Sequence, residues 1–239
     1  MRGIVLELSS KEATDFLLPR HYAGRIPSIS RAFGWKVDGA LKAVCTFGKP
    51  ATPFLCTGVC GKKYSASVYE LNRLCRVDGF KEPLSAFVGA CLRRLRAMNW
   101  IIISYSDTQM NHHGYIYQAT NFLYTGMTKE RTDMYTGGGG QSHNRHYEHA
   151  IGKDYDIRKV RSSKHRYVYF CTRDKRLKRE WMKSLNYPIL PYPKGDNNAD
   201  YQLGTYMKPI LINRSTGKIV GWQKEPCETN SQWLDRLLG

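Results

Sequence analysis

Asp107 closes the run WIIISYSD and leads through TQM into a stretch where His113, Tyr117 and Asn121 recur every four residues. A carboxylate at the carboxyl edge of a strand stands where open α/β sheets hold their ligands. A four-residue recurrence sets three side chains on one helix face, with Gly114 and Gln118 beside them. Such a set suits proton transfer, the carboxylate accepting and the phenol donating. The plainer roles are a helix cap for Asp107 and a core aromatic with a surface hydroxyl for Tyr117; the joint spacing favours chemistry. His21 in RHYAGRIPSIS and Arg73 in SVYELNRLCRV lack such spacing. Taken alone, they read as well as a loop histidine and an exposed strand arginine beside Glu70.

A second feature is charge. Thirty-seven Lys and Arg against twenty Asp and Glu leave a net charge of +17, a field that attracts a polyanion and holds it through counterion release. Eleven Lys or Arg fall between residues 158 and 183, together with Tyr167, Tyr169 and Trp181. A basic and aromatic mixture of this kind is typical of nucleic-acid surfaces. Arg161, Lys164, Arg166, Lys175, Arg176 and Arg179 are the expected phosphate contacts, with double-stranded DNA as the partner.

The elements that must position these residues follow from periodicity. Residues 3–8 read as an opening strand, after which Ser9 and Glu12 stand at capping-box spacing ahead of Ala13, Phe16 and Leu17. Residues 41–47 and 67–77 have strand character, with RHYAGRIPSIS as a loop before them. Pro83 opens the clearest helix, whose apolar face is Leu84, Phe87, Val88, Cys91, Leu92, Leu95 and Met98. The continuous apolar run 100–106 is a strand covered on both sides. A short helix over about 113–121, a strand in FLYTGM, a strand over 165–172 and the basic helix DKRLKREWMKSL complete the pattern. Periodicity is lost between Lys129 and about Ser163, around GGGG at 137–140, which predicts a flexible insert. The expectation is an α/β fold, a mixed central sheet flanked by helices with a basic insert before the last strands. It divides into a core over 1–128, the insert over 129–164, and a remaining strand, basic helix and extension over 165–239.

Composition narrows the setting. No apolar stretch approaches the roughly 20 residues that cross a bilayer, and the first residues, MRGIVLELSS, do not form a secretory signal. Seven Cys, four of them (Cys45, Cys75, Cys91 and Cys171) inside apolar runs, point to a reduced, cytosolic protein. Cys56 and Cys60 in PFLCTGVCG lack a second ligand pair and read as a plain loop rather than a zinc site.

RHYAGRIPSIS with AFG, YELNRL, the long block ISYSDTQMNHHGYIYQATNFLYTG, TKERTD, KHRYVYF and PYPKG occur in the order found in Mom proteins. Over about residues 20–195 the chain resembles that phage and prophage family, which modifies adenine in DNA and hides it from restriction enzymes. The resemblance implies a fold like that of the GCN5-related acetyltransferases, in which two parallel strands splay and hold the pantetheine arm of acetyl-CoA. Those strands would be SVYELNRLCRV and WIIISYS. It also implies an active centre of His21, Tyr22, Arg73, Asp107 and Tyr117. Leu74, Arg76, Leu84 and Ser85 would hold the cofactor, although LCRVDGFKEPLSAF departs from the usual Gly-rich phosphate turn.

The implied product carries a carbamoylmethyl group on N6 of adenine, an amine whose lone pair is drawn into the ring. Asp107 would accept the N6 proton, Tyr117 protonate the leaving group, and Arg73 stabilise negative charge. His21 would be a second acid/base group or, with Asp107, a ligand for a metal such as iron. The donor would be acetyl-CoA or a related acyl or aminoacyl compound. The adenine would be flipped out of the duplex and stacked on Tyr22 or Phe33. The setting would be the cytoplasm of an infected or lysogenic bacterium. Two other classes compete: a CoA-dependent N-acetyltransferase of a protein or small-molecule amine, and a DNA-binding module without chemistry.

Overall fold

Ser9 starts the first helix by a reciprocal cap. Its Oγ accepts from the Glu12 N–H at 3.2 Å, and the Glu12 carboxylate accepts from the Ser9 N–H at 2.8 Å, satisfying two amides that the helix cannot pair internally. The resulting α1 (Ser10–Leu17) follows β1 (Ile4–Leu8) and buries Ala13, Phe16 and Leu17. In this computed structural model the described residues are 3–21, 26–108, 112–134, 155–195, 209–222, 232 and 236.

Among the described residues seven strands form one mixed sheet. β1, β2 (Arg31–Val37), β3 (Ala40–Gly48) and β4 (Val68–Arg76) pair antiparallel in succession. β2 is an addition to the sequence-based expectation. It is joined to β3 by Asp38 and Gly39, both at positive φ (52° and 76°), the two-residue turn whose twist matches paired strands. β4 then runs parallel to β5 (Trp100–Asp107) through α3 (Leu84–Leu95), and β9 (Lys164–Cys171) lies antiparallel between β5 and β6 (Leu123–Met127).

Helices cover both faces. α3 buries Phe87, Val88, Cys91, Leu92 and Leu95, as its periodicity predicts, against Cys45, Phe47, Leu71 and Ile102. Met98 departs from the predicted face: it ends a 3₁₀ turn beyond α3 and is exposed. On the opposite face α1 packs against Val44 and Cys75. There too α2 (Pro53–Cys60) and α5 (Lys175–Lys183) bury Cys56, Val59, Cys60 and Trp181 against Ile101, Ile103, Val168 and Phe170. The PFLCTGVCG loop expectation is thus corrected: Thr52 caps it, Pro53 starts it, and both Cys lie on its buried face. α4 (Tyr115–Ala119) sits with α3, contributing Ile116 and Tyr117 to that core.

The chain divides into two units, residues 1–128 with 164–204, and 129–163 with 205–239. The segment expected to be a flexible insert contains β7 (Arg131–Met134) and β8 (Tyr155–Arg161). These join β10 (Pro209–Asn213) and β11 (Ile219–Trp222) in a separate antiparallel sheet of order β11-β10-β8-β7. Pairing between segments about fifty residues apart leaves no local signature. No helix among the described residues is long and apolar enough to cross a membrane.

Candidate functional site

β4 and β5 are hydrogen-bonded neighbours only from Val68↔Ile101 to Glu70↔Ile103. Beyond that register both strands continue, β4 to Arg76 and β5 to Asp107, with a gap opening between them. Two features hold the gap. A bulge in the β3–β4 ladder between Thr46 and Phe47 leaves Asn72 out of register and turns β4 aside. The Ser104 hydroxyl donates to the Leu71 carbonyl at 2.8 Å, bridging the strands where regular pairing stops.

Arg73 stands on the β4 side of the gap, three residues past the last pair, and Asp107 on the β5 side, four residues past it. Both fall on the sheet face covered by α1, α2 and α5. Asp107 alternates with Ile101 and Ile103 and forms an ion pair across to Lys164, whose own alternation leads through Arg166 to Val168. Arg73 pairs in register with Thr46 and shares its face with Cys75 and α1.

His21 follows α1, its N–H donating to the Leu17 carbonyl at 2.8 Å, and the residue is 8% exposed. Burial first, and the Arg73 charge second, push its pKa down to about 3. His21 is therefore a neutral imidazole beside a guanidinium throughout the neutral range. As a metal ligand it would stand beside the Arg73 charge, and Asp107, the other expected ligand, is paired with Lys164. Among the described residues no group of three or more His, Cys, Asp or Glu gathers to hold an ion. The shift has a sign for stability. The unfolded chain binds this proton near pH 6.5 and the fold only near 3, so the contribution is complete above pH 6.5 and is lost as pH falls toward 3. Between pH 7 and pH 4 the loss is roughly 3 kcal/mol. His21→Gln is expected to flatten the fall in Tm over that range; an equally steep fall would locate the acid sensitivity elsewhere.

The segment after His21 is pinned at its far end. The Asn72 amide donates to the Ser28 carbonyl at 2.8 Å while accepting from the Thr46 hydroxyl at 2.7 Å, and the Ser30 N–H donates to Phe47 at 2.7 Å. Ser28 crosses so close to Gly48 that a Cβ there would lie 1.8 Å from the Ser28 carbonyl oxygen. Asn72, Gly48 and Ser28, none of them marked by spacing, thus anchor the RHYAGRIPSIS segment on the bulge beside Arg73. Tyr22 lies outside the described residues. Phe33, the other expected stacking partner for a base, is 3% exposed and belongs to the core.

Tyr117 is on the opposite face of the sheet. Its ring lies 5.4 Å from that of Phe122 and 5.2 Å from that of Tyr167, under α4. The helix is shorter than its spacing predicts. Gly114, at φ 76°, precedes it, and Asn121, at φ 60°, follows it, so His113 and Asn121 do not form a helical stripe with Tyr117. Gly114 has two constraints, its left-handed backbone and the Tyr167 ring, which a Cβ would meet at 2.5 Å. His113 instead approaches His165, ring centroids 5.7 Å apart, and burial with His113 nearby holds the His165 pKa below the usual imidazole range. The expected active centre is thus distributed, with His21, Arg73 and Asp107 on one face and Tyr117 on the other.

For a cofactor arm, the stretch of β4 beyond Leu71, no longer laddered to β5, offers strand edge beside the gap, with Leu74 half-buried against the α3 core and Arg76 exposed at its end. Leu84 and Ser85 begin α3 without a side-chain cap, leaving their amides for an anion. The approach to them is not Gly-rich: Phe80 closes it, packing on Trp35 at 5.3 Å. The phosphate end of a bound arm would have the α3 amides to rest on, with no Gly-rich turn beside them.

The basic region divides. Lys175, Arg176 and Arg179 are exposed on α5 with Lys178 and Lys183, while Leu177 and Trp181 turn inward. Arg166 is instead structural: its guanidinium donates to the Thr125 hydroxyl and carbonyl at 3.0 and 2.7 Å and covers the Tyr187 ring at 3.4 Å. Lys164 serves Asp107, and Arg161 lies in β8 of the other unit, where its backbone pairs with Arg131 and its side chain is outside the described residues. Tyr167 and Trp181 are buried and Tyr169 packs on the core, so these aromatics are not a stacking surface for bases.

The model of the Mom protein family matches residues 3–194. No curated protein matches. Among solved structures the chain is similar to an N-acetyltransferase from Staphylococcus aureus, at 10% identity and a TM-score of 0.44 over 72% of this chain and 100% of that one. It is also similar to a putative acetyltransferase from Salmonella typhimurium with acetyl-CoA (6% identity, TM-score 0.44, 73% and 96%). A Bacillus subtilis acetyltransferase in complex with CoA gives 12% identity and a TM-score of 0.41 over 71% and 99% of the two chains.

Proposed function

The chain belongs to the Mom protein family, matched over residues 3–194, and from that premise of DNA modification we propose that it adds a carbamoylmethyl group to N6 of adenine in double-stranded DNA, protecting it from restriction. The observation that carries this reading is the β4–β5 gap, with a guanidinium, Arg73, and a carboxylate, Asp107, on its two sides.

N6 is a poor nucleophile, because its lone pair is delocalised into the purine. It becomes competent as its proton leaves, and Asp107 accepts that proton while the N6–carbon bond forms. Arg73 stabilises negative charge developing across the gap, and the neutral His21 beside it contributes a hydrogen-bonding group without a second positive charge. Tyr117, on the far face, supplies a proton to the departing group. An acyl or aminoacyl donor, when bound, supplies the two-carbon unit. The bond is made to its methylene carbon, since attack at the carbonyl would leave an N6 amide; of the two donor classes this requires the aminoacyl one, whose α-amino group leaves that carbon as ammonia with the proton from Tyr117, while a second ammonia displaces the acyl carrier from the carbonyl to give the terminal amide.

A paired adenine buries N6 in the duplex, so the base is extruded at a cost of a few kcal/mol. Exposed cations on α5 offset this through phosphate contacts. Mass spectrometry of nucleosides from DNA of cells expressing the chain tests the proposal. The expected result is an adenosine heavier by one carbamoylmethyl group; unmodified adenosine alongside abundant soluble protein would refute it, and an added acetyl group would favour ordinary acyl transfer.

A further inference from the structure

The residue that faces Asp107 is not one that spacing marks for chemistry. Lys164 is the directly opposed residue on β9 and pairs with the Asp107 carboxylate, and the two side chains are 35% and 14% exposed. Its backbone is fixed as firmly as its ammonium: the Lys164 N–H donates to the Thr128 hydroxyl at 2.9 Å, and the Thr128 N–H donates to the Lys164 carbonyl at 2.9 Å. Thr128 and Lys164 are the residues of the first unit that flank the 129–163 segment.

We infer that Lys164 is the positioning residue for Asp107, holding the carboxylate in one orientation at the mouth of the β4–β5 gap rather than contacting DNA phosphate. The inference rests on the proposed adenine modification. A flexible carboxylate at a strand end samples several rotamers, and a displacement of about 1 Å from a productive geometry costs on the order of 100-fold in rate. A cation fixed by cross-strand register and by two backbone hydrogen bonds removes that freedom. A phosphate-binding lysine needs the opposite: a free ammonium and an unconstrained stem.

Lys164→Met separates the two roles. As a positioning residue, its loss lowers adenine modification about 10- to 100-fold, while DNA affinity and its salt dependence stay as in the wild type. Lys164→Arg, which keeps a cation at the position, recovers a large part of the activity. A wild-type rate of modification in Lys164→Met would overturn the inference and leave the proposed function standing; absence of the modified base in the wild type would refute the function itself. An affinity loss with the slope of log K against log salt reduced by about one would assign Lys164 to phosphate instead. Removing one partner of a half-buried ion pair strands the other charge and can weaken folding. The double variant Asp107→Asn/Lys164→Met avoids this and closes a mutant cycle. If Lys164 acts through Asp107, the double variant is no less active than Asp107→Asn alone; a further, additive loss would overturn the inference.

Discussion

Asp107→Asn is expected to reduce the modified fraction of adenine by about 10²- to 10⁴-fold, the range over which a positioned general base contributes. Asn keeps the shape of the carboxylate but accepts no proton at neutral pH and no longer pairs with Lys164. The same variant should bind DNA close to wild-type strength, because the exposed cations of α5 are untouched. Loss of modification with retained binding therefore separates chemistry from docking. Tyr117→Phe makes the companion measurement from the other side of the gap, leaving the ring against Phe122 and Tyr167 and deleting only the hydroxyl. A modified base that persists in both variants would mean that the proton transfers occur elsewhere. Thermal melting of each variant guards against misfolding as the cause.

DNA binding is expected to be strongly salt-dependent. With about five phosphates neutralised, affinity should fall on the order of 10²- to 10³-fold between 50 and 200 mM salt. α5 is the reason to expect it. The helix carries no acidic residue in its first turn, and Lys175, Arg176, Lys178 and Arg179 crowd its amino end, where the helix dipole disfavours positive charge. The Asp174 cap, accepting from Arg176 and Leu177 N–H at 2.7 and 3.1 Å, and a 3.5 Å Arg176–Glu180 pair partly relieve this. A helix that concentrates cations against its own dipole sacrifices stability that a phosphate backbone would restore. Replacing Lys175, Arg176 and Arg179 with Gln should flatten the salt slope by about 2.7, at roughly 0.9 for each phosphate no longer neutralised. An affinity that hardly changes with salt, or a triple variant with the wild-type slope, would dismiss α5 as the DNA surface.

Legibility in the sequence followed the range of the interaction. α1 was visible because its capping box spans four residues, and α3 and β5 because burial stamps a period on consecutive side chains. The β2–β3 hairpin had a signal that goes unused if one looks only at apolar runs, the Asp38-Gly39 pair between alternating segments. α2 was obscured by a Thr-Pro start that resembles a turn and by two cysteines that suggest a metal rather than one buried face. The His113, Tyr117 and Asn121 spacing misled because periodicity does not reveal where backbone at positive φ ends a helix.

By itself the sequence determined α1, α3 and β5, the surplus of positive charge and the family, since each is carried by local pattern or by ordered strings of residues. The tertiary structure alone decided which charges are engaged within the fold and which face solvent. Lys164 and Asp107 are 57 residues apart, and Arg166 on β9 meets Tyr187 in the bend beyond α5; two cations of one basic run thereby leave the surface patch. It also decided that His21 is neutral, because desolvation and the nearby Arg73 act through space. Cross-strand register and burial join residues distant along the chain, and Coulomb and desolvation energies depend on that proximity rather than on sequence spacing.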